Sequence, residues 1–510
     1  MTFILAFVPI AIILVLMVGW RWGASRAGAV GYLAALAIAV FYFGTGLEAL
    51  AYAHTKALLL AMDVLLIIWA AFLLFRVADE AGAIQTIGQS LPHLTADIGM
   101  LALIIGWVFA SFLQGVGGFG VPVAVVAPLL VGLGYTPLSA VIIPSIGHSW
   151  AVTFGSMGSS FRALMAATNL PSELLAPDTA IFLGIAGVGA GLMVAHAAGG
   201  WTTMRRLLLP TLILGLVMSG MQYLTAAVAG LWNIGAFAGG LTGLIVAYPL
   251  ARYYRGHQDN NQKMNPKALS IALSGYVLLV LIILVVQFVP FVRDFLGQFE
   301  INLNFPEVQT RLGYVTPAGP GRSIPVFRHA GALLAYASFL AYLIYRKAGL
   351  YKPGAARRIV SGTLQRVMSS SVGIASMVAM AMVMQHAGMT ETLARGLAEG
   401  MGGIFPFVSP WIGALGAFMT GSNTNSNVVF ANLQLRTADL LGYSVALILA
   451  AQTSGGALGS IIAPTKVVVG ASTAGLVGQE GEIMRKLMLY TGLLILLISL
   501  IGMLAVRLGS

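Results

Sequence analysis

The segment Gly421-Ser-Asn-Thr-Asn-Ser-Asn427 places seven consecutive small or polar residues between two apolar stretches. Its hydroxyl and amide side chains offer hydrogen-bond donors and acceptors but no charge. Such a run interrupts an otherwise apolar sequence. Its structural role therefore depends on whether the apolar flanks lie in water or in lipid.

The composition indicates that this solvent is lipid. Of 510 residues, 58% are hydrophobic and only 8% are charged, and the mean hydropathy is +0.91. A soluble domain carries about 25% charged residues, so we predict an all-α polytopic membrane protein with spans of about 20 residues. The absence of cysteine excludes disulfides and thiolate metal sites. The net charge of +11 is assigned to basic cytoplasmic loops rather than to nucleic-acid binding.

Twelve apolar runs are predicted to span the membrane, at 3–20, 27–45, 57–78, 137–156, 178–200, 206–229, 231–250, 268–290, 330–346, 367–386, 443–462 and 487–508. Three further regions, 97–134, 403–441 and 463–480, are apolar but rich in Gly, Ser, Thr, Asn and Pro. Short basic loops are cytoplasmic by the positive-inside rule. They are 21–26, 204–206, 252–267 and 346–366, whereas the mixed-charge loop 291–328 is placed outside with both termini.

The chain contains an internal repeat. By the positive-inside rule, span 57–78 runs from the outside to the cytoplasm, and its counterpart 367–386 runs from the cytoplasm to the outside. We therefore predict two inverted-topology repeats with re-entrant hairpins and broken helices, which in secondary transporters enclose a binding site near the membrane midplane. The matches are Gly82 with Gly388, Phe112–Gly115 with Phe418–Gly421, Gly134 with Gly442 and Gly155 with Gly459, all 304 to 308 positions apart.

The first-copy counterpart of the polar run is Gly115-Val-Gly-Gly-Phe-Gly120, a literal GxGxxG. A dinucleotide site would require a preceding strand and an acidic residue about 20 positions further on. The flanks here are apolar spans, and Pro122 follows at once. We predict instead that Gly117, Gly118 and Gly120 break a membrane helix and expose backbone groups to a ligand.

In hydrocarbon an unsatisfied polar group costs several kcal/mol. The run 421–427 therefore lines a polar site, satisfies itself, or forms a turn outside the membrane. We favour a re-entrant tip that meets the glycine tip near the midplane. Its predicted ligand-binding residues are Ser422, Asn423, Thr424, Asn425, Ser426 and Asn427.

A second polar interruption follows each tip, within an apolar span. The first-copy interruption is Ser145–Ser149 and the second-copy interruption is Gln452–Gly456. Discontinuous helices direct half-helix N-termini at anions and C-termini at cations. These interruptions add His148, Ser149, Thr453 and Ser454 to the predicted site.

Three charged residues lie in apolar surroundings. Arg162 and Lys466 follow the two interruptions, 304 positions apart, and either can hold a substrate carboxylate or extend to the membrane surface. Asp63 lies within the span 57–78, where a carboxylate costs roughly 2.5–3.5 kcal/mol. It carries a proton or pairs with a buried base, unless the span is offset and leaves Asp63 near water. His148 is the second candidate for ion coupling.

Four stretches resemble the L-lactate permease family, which includes glycolate carriers: Gly117–Ala124, Phe154–Gly158, Gly421–Gln434, and Thr453–Gly456 with Ala474–Gly478. The resemblance implies proton-coupled import of 2-hydroxymonocarboxylates and kinship with a superfamily that pairs two re-entrant hairpins and often moves as an elevator. It also implies an acidic residue where this chain has Asn423, and no basic residue where it has Lys466. Coupling would then pass to Asp63 or His148, or the driving ion would be sodium.

We accordingly predict a secondary transporter that imports L-lactate or a similar monocarboxylate by proton symport in a bacterial-type inner membrane. The alternatives are a sodium-coupled carrier of another organic anion and an ion channel. No HExxH, P-loop or GxSxG motif is present, so no enzyme activity, cofactor or metal is expected. Whether the chain forms a homo-oligomer is left open. The predicted domains are 1–56 (N-terminal spans), 57–200 (first repeat), 201–366 (central scaffold), 367–486 (second repeat) and 487–510 (last span).

Overall fold

The computed structural model describes residues 2–20, 22–90, 94–118, 120–254, 266–320, 324–476 and 479–509. Positions 1, 21, 91–93, 119, 255–265, 321–323, 477–478 and 510, which fall within features discussed above, lie outside the described residues. In the described part, ten helices are long and apolar enough to cross a membrane, or eleven if one bent pair is a single span. The prediction of an all-α polytopic membrane protein is confirmed.

Two N-terminal helices precede the first block of helices. They are α1 (Thr2–Leu14), which ends in a π-helical turn, and α2 (Ala24–Phe41). The first block comprises α3 (Leu47–Glu80), α4 (Ala83–Ser90), α5 (Ile98–Leu101), continued by a π-helical stretch into α6 (Ala110–Val116), α7 (Val121–Gly132), α8 (Pro137–His148) and α9 (Gly155–Thr168). Helix α3 has 34 residues and is about 51 Å long at 1.5 Å per residue. It therefore exceeds the roughly 30 Å hydrocarbon core.

The central helices connect the two blocks. They are α10 (Ser172–Arg206), α11 (Leu208–Tyr223), α12 (Gly235–Tyr253), α13 (Pro266–Phe288), α14 (Pro290–Leu296) and α15 (Ala330–Lys347). Between α14 and α15 lie six two-residue strands: β1 (Glu300–Ile301), β2 (Asn304–Phe305), β3 (Val308–Gln309), β4 (Val315–Thr316), β5 (Gly319–Pro320) and β6 (Ile324–Pro325). They pair β1 with β6, β2 with β5 and β3 with β4, all antiparallel. The loop predicted at 291–328 is therefore one long nested hairpin.

The second block has the same order of elements as the first. It comprises α16 (Ala355–His386), α17 (Met389–Met401), α18 (Phe405–Thr420), α19 (Asn423–Leu441), α20 (Val445–Gly459) and α21 (Pro464–Thr473), and α22 (Glu480–Gly509) ends the chain. Gly82 and Gly388 both adopt left-handed backbone, with φ of 70° and 80°, at the turns that follow α3 and α16. This parallel supports the repeat, whereas the opposite membrane orientation of its copies stays a prediction.

The predicted domain boundaries at 57 and 367 fall inside α3 and α16, which begin at Leu47 and Ala355. Helix α16 packs against both α2 and α3, while α18 packs against α20. The first helices of the two blocks, α3 and α16, therefore contact each other.

One predicted interruption is wrong. Gln452–Gly456 lies inside the continuous helix α20, and the helix gives way only at the 3₁₀ turn Ser460–Ile462. The glycines serve packing instead, because a methyl group at Gly455 would overlap the carbonyl oxygen of Pro410 in α18. In the first block the corresponding break begins after His148, and the chain bends by 49° between α8, with its 3₁₀ turn, and α9.

Candidate functional site

Both hairpin tips border one cavity. Gly120 from the first tip and Gly421, Ser422 and Asn425 from the second line a space of ≈ 380 Å³, together with Lys466 at the start of α21. The two tips that the repeat predicts to meet therefore lie next to each other. The cavity is large enough for a small organic anion with water.

The geometry of the second tip follows from two residues. Gly421 ends α18 in left-handed backbone, with φ of 70°, which a residue without a side chain adopts at no steric cost. Ser422 then caps α19, and its hydroxyl accepts a hydrogen bond from the backbone N–H of Asn425 at 3.4 Å. Asn423–Asn427 consequently form the first turns of α19 and are all buried. These residues are therefore helical and shielded from solvent, whereas their position relative to the membrane stays a prediction.

The amide side chains of this tip bind the first block. Asn423 Nδ2 donates to Thr153 Oγ1 at 3.0 Å, and Asn427 Nδ2 donates to the carbonyl of Ser160 at 2.8 Å. Asn427 Nδ2 also donates to Thr453 Oγ1 at 3.0 Å, so the network includes α20. The second tip is thereby fixed to the break between α8 and α9.

Two further contacts complete this network. The hydroxyls of Ser160 and Thr424 lie 3.0 Å apart, and Ser426 Oγ donates to the carbonyl of Gly413 at 2.7 Å. Thr424 therefore contacts the first block, while Ser426 holds α19 to α18.

Several buried polar atoms have no hydrogen-bond partner among the described residues. They include the Oδ1 atoms of Asn423 and Asn425, Ser454 Oγ and His148 Nε2. Buried polar atoms without partners are rare, and each needs an explanation such as a water, an ion or a ligand. Asn425 is the clearest case, because it also lines the cavity between the tips.

The kink in the first turn of α9 has strained backbone. Ser156, Met157 and Gly158 are three consecutive left-handed residues, with φ of 47°, 53° and 73°. Non-glycine residues in this region cost of order 1–3 kcal/mol each and cluster at functional sites. Ser156 lines a water-sized cavity of ≈ 20 Å³, which shares Ser422 with the larger one.

Two basic side chains line the main cavity, and no acidic one is among its described lining residues. Lys466 donates through Nζ to Ser460 Oγ at 2.9 Å. Arg366 reaches the cavity from α16, and its guanidinium lies 5.8 Å from the ring centroid of Phe72. The cavity is therefore electropositive, as an anion site requires.

Arg162 and Asp63 lie apart from this cavity's lining and bind each other. Asp63 is fully buried and accepts two bonds of 2.7 Å from Arg162 Nε and Nη2. It also lies 2.9 Å from His329 Nε2. The structure thus brings Asp63 to a buried base, the second of the two roles considered for it.

His148 and Ser149 are buried but bond within their own segment. His148 Nδ1 lies 2.6 Å from the carbonyl of Pro144, and Ser149 Oγ donates to the carbonyl of Ile146 at 2.7 Å. Neither residue is among those that line the two cavities between the tips. Their roles in binding or coupling stay predictions.

Four residues of these sites were not identified from sequence. Thr153 and Ser160 are hydroxyl residues outside the polar interruption predicted in the first block, and Arg366 belongs to a basic stretch assigned to loop topology. His329 lies one position beyond the predicted loop 291–328. The only available signal was for Thr153, which adjoins the quoted stretch Phe154–Gly158.

Comparison with known proteins identifies relatives over almost the whole chain. The family model "L-lactate permease" matches residues 2–509. The L-lactate permease of Bacillus subtilis is 28% identical over 473 residues, covering 84% of this chain and 82% of that protein. The glycolate permease GlcA of Escherichia coli is 27% identical over 517 residues, covering 94% and 91%. The L-lactate permease of Salmonella typhi is 27% identical over 446 residues, covering 82% and 80%.

Among solved structures, the chain is similar to the YdaH transporter of Alcanivorax borkumensis, at 15% identity and a TM-score of 0.45. The match covers 90% of this chain and 88% of that one.

Proposed function

This chain belongs to the L-lactate permease family, and we propose that it imports L-lactate or a similar 2-hydroxymonocarboxylate by proton symport. It is a multi-pass inner-membrane transporter and not an enzyme. Our proposal concerns the substrate, the direction of transport and the coupling ion.

One observation carries the proposal for the substrate class. The cavity between the tips has two basic side chains, Lys466 and Arg366, and no acidic one among its described lining residues. Around them are uncharged hydrogen-bonding groups, among them Ser422, Asn425 and Thr465. A carboxylate would be held by the cations and a neighbouring hydroxyl by the amide or hydroxyl groups. A 2-hydroxymonocarboxylate has both groups on adjacent carbons.

Within this proposal, the glycine tip contributes space and backbone groups at Gly117, Gly118 and Gly120. The polar tip contributes Asn425 and Ser422 directly. Asn423 and Asn427 hold the site together through Thr153 and Ser160, and removing either amide would lose a hydrogen bond between the two blocks, at about 0.5–1.5 kcal/mol.

Proton coupling is proposed to use Asp63 or His148, because the tip amide Asn423 cannot titrate. Asp63 would have to exchange its bonds to Arg162 for a proton during the transport cycle. His148 has a buried ring nitrogen without a partner among the described residues and could accept a proton there.

Sodium coupling is the second candidate, and a specific observation favours it. The tip offers neutral oxygen atoms, including the buried Oδ1 of Asn423, which has no partner among the described residues, and the hydroxyls of Thr153 and Thr453. Neutral and carboxylate oxygens are suitable ligands for hard cations.

The test is uptake of labelled L-lactate into proteoliposomes under separately imposed proton and sodium gradients. Proton symport predicts accumulation with an inward proton gradient alone. Accumulation only with a sodium gradient would show that sodium is the coupling ion instead of the proton. The absence of lactate uptake under either gradient would contradict the proposed substrate. Substrate-dependent counterflow separates a carrier from an ion channel, because only a carrier exchanges bound substrate.

A further inference from the structure

A second cavity lies away from the hairpin tips. It has a volume of ≈ 170 Å³ and is bordered by Arg162 in α9, by Trp232 and Asn233 before α12, and by Arg328 and His329 before α15. Arg328 follows the nested hairpin β1–β6, which the charge rule places outside. The cavity is therefore on the side from which an imported substrate arrives.

The charges around this cavity do not cancel. Its described lining includes two guanidinium groups and no acid. Asp63, which is buried behind it, is bonded to Arg162 through both carboxylate oxygens. Arg328 forms no ion pair with any described acid, and its side chain is exposed. One positive charge therefore remains at the mouth of the cavity.

His329 does not change this balance. The backbone N–H of Gly331 donates to His329 Nδ1 at 3.2 Å, so that nitrogen carries no proton. The proton is then on Nε2, which donates to Asp63 at 2.9 Å, and the imidazole is neutral. The bond to Gly331 also caps α15, which fixes the ring in place.

Arg162 has donor capacity left for a ligand. Its Nε and Nη2 are bonded to Asp63, whereas Nη1 donates to no described residue. The guanidinium lies 6.0 Å from the ring centroid of Trp232, so an apolar surface adjoins the cation. The half-buried Asn233 adds an amide to the same wall.

We propose that this cavity is a second binding site for a small monocarboxylate anion, which holds the substrate before it reaches the hairpin tips. Arg328 and Arg162 bind the carboxylate, Asn233 bonds a hydroxyl group, and Trp232 covers the carbon chain. The inference rests on the proposed function for the identity of the ligand, but its binding residues are different ones.

The test begins with equilibrium binding of labelled L-lactate to the purified full-length protein. We expect two equivalents per chain, with one lost in Arg328→Gln and the other lost in Lys466→Gln. Arg311→Gln is the matched control, because Arg311 is an exposed arginine of the same loop that does not line the cavity. It should bind as the unmodified protein does.

Transport gives the second measurement. Arg328→Gln should raise the apparent KM for lactate uptake roughly three- to tenfold, the effect of losing one partly screened charge contact, with the maximal rate unchanged. Arg328→Lys should retain most of the affinity, and Arg311→Gln all of it.

The outcomes separate the two proposals. One equivalent that is lost in Lys466→Gln and kept in Arg328→Gln would overturn the second site and leave the proposed function intact. One equivalent with the opposite dependence would support the second site and contradict the site at the tips. Equal changes of KM in Arg328→Gln and Arg311→Gln would mean that both arginines act only through the general surface charge, which would overturn the second site. Displacement of lactate by chloride at equal concentration would overturn the monocarboxylate assignment.

Discussion

Asp63→Asn tests both the architecture and the coupling of this protein. The substitution keeps the size of the side chain but removes its charge and one acceptor. In the structure the carboxylate accepts from Arg162 Nε and Nη2 at 2.7 Å and from His329 Nε2 at 2.9 Å. An asparagine amide would direct its own N–H groups at one of these donors. The guanidinium would lose its counter-charge.

The cost can be bounded from the geometry. Removing one partner of a buried ion pair costs about 3–5 kcal/mol. The Asp63 side chain is fully buried, but that of Arg162 is 14% exposed and borders a cavity large enough for several waters. We therefore take the lower end, about 3 kcal/mol, which is roughly a hundredfold change in the folding equilibrium.

Thermal unfolding in detergent and the yield of inserted protein measure this loss of stability. Asp63→Asn should lower both, and the double variant Asp63→Asn/Arg162→Gln should recover part of the loss, since it leaves no unpaired guanidinium. Unchanged unfolding of Asp63→Asn would refute the ion-pair reasoning, as would a double variant no more stable than the single one.

Coupling is measured on the protein that remains folded. If Asp63 carries the proton, accumulation of lactate under a proton gradient should fall further than exchange of lactate at equal concentrations, because the amide can bond but cannot titrate. Accumulation at the unmodified level would exclude Asp63 as the proton carrier and leave His148.

Three other predictions address the tip, the packing and the repeat. Asn425→Ala should abolish or strongly reduce lactate uptake in proteoliposomes at normal yield, a loss of about 1–3 kcal/mol of binding, and normal uptake would remove the tip from the site. Gly455→Ala should destabilise the protein by about 1–3 kcal/mol, because the methyl group would push α20 away from α18; Gly492→Ala, which has no neighbouring atom within 4 Å, is the control for the unfolding measurement. Because the chain has no cysteine, single cysteines can be labelled with a membrane-impermeant maleimide. Gln89→Cys and Arg395→Cys are both exposed and lie 306 positions apart, at matching places in the two copies. They should react from opposite sides of the membrane, and reaction of both from the same side would contradict the inverted repeat.

The sequence predicted the helices well because hydropathy alone determines which segments can lie in lipid. The predicted spans 178–200 and 487–508 lie within α10 and α22, which are both long and apolar enough to cross a membrane. The error came in α20, where small and polar residues at 452–456 were interpreted as a break. Glycines in a membrane helix can either interrupt it or allow close packing, and only the neighbouring helix decides which.

The candidate site could be predicted only where small and polar residues are consecutive. The run Gly421–Asn427 stood out because seven small or polar residues follow one another, whereas Thr153 and Ser160 are hydroxyl residues of the kind that bond to their own helix elsewhere in the chain. Arg366 was assigned to a cytoplasmic loop because a basic residue near a span end satisfies the positive-inside rule whether or not it also lines a cavity. Long-range contacts, such as that of Asp63 with Arg162, leave no local pattern.

If transport is coupled to protons as proposed, the neutral tip requires the titrating group to lie on another element. Asn423 donates to the hydroxyls of Thr153 and Thr453, at 3.0 Å and 3.4 Å, and its Oδ1 is buried without a partner among the described residues. A carboxylate at this position could not donate, so both hydroxyls would have to turn and donate to it. The amide instead keeps the tip uncharged when no ion is bound, and a titrating group must then come from another element. Asp63 has the charge but is held by Arg162, and His148 has an available nitrogen but no acidic partner among the described residues. A proton-driven cycle through Asp63 therefore requires the bond between α3 and α9 to open, whereas a cycle through His148 does not.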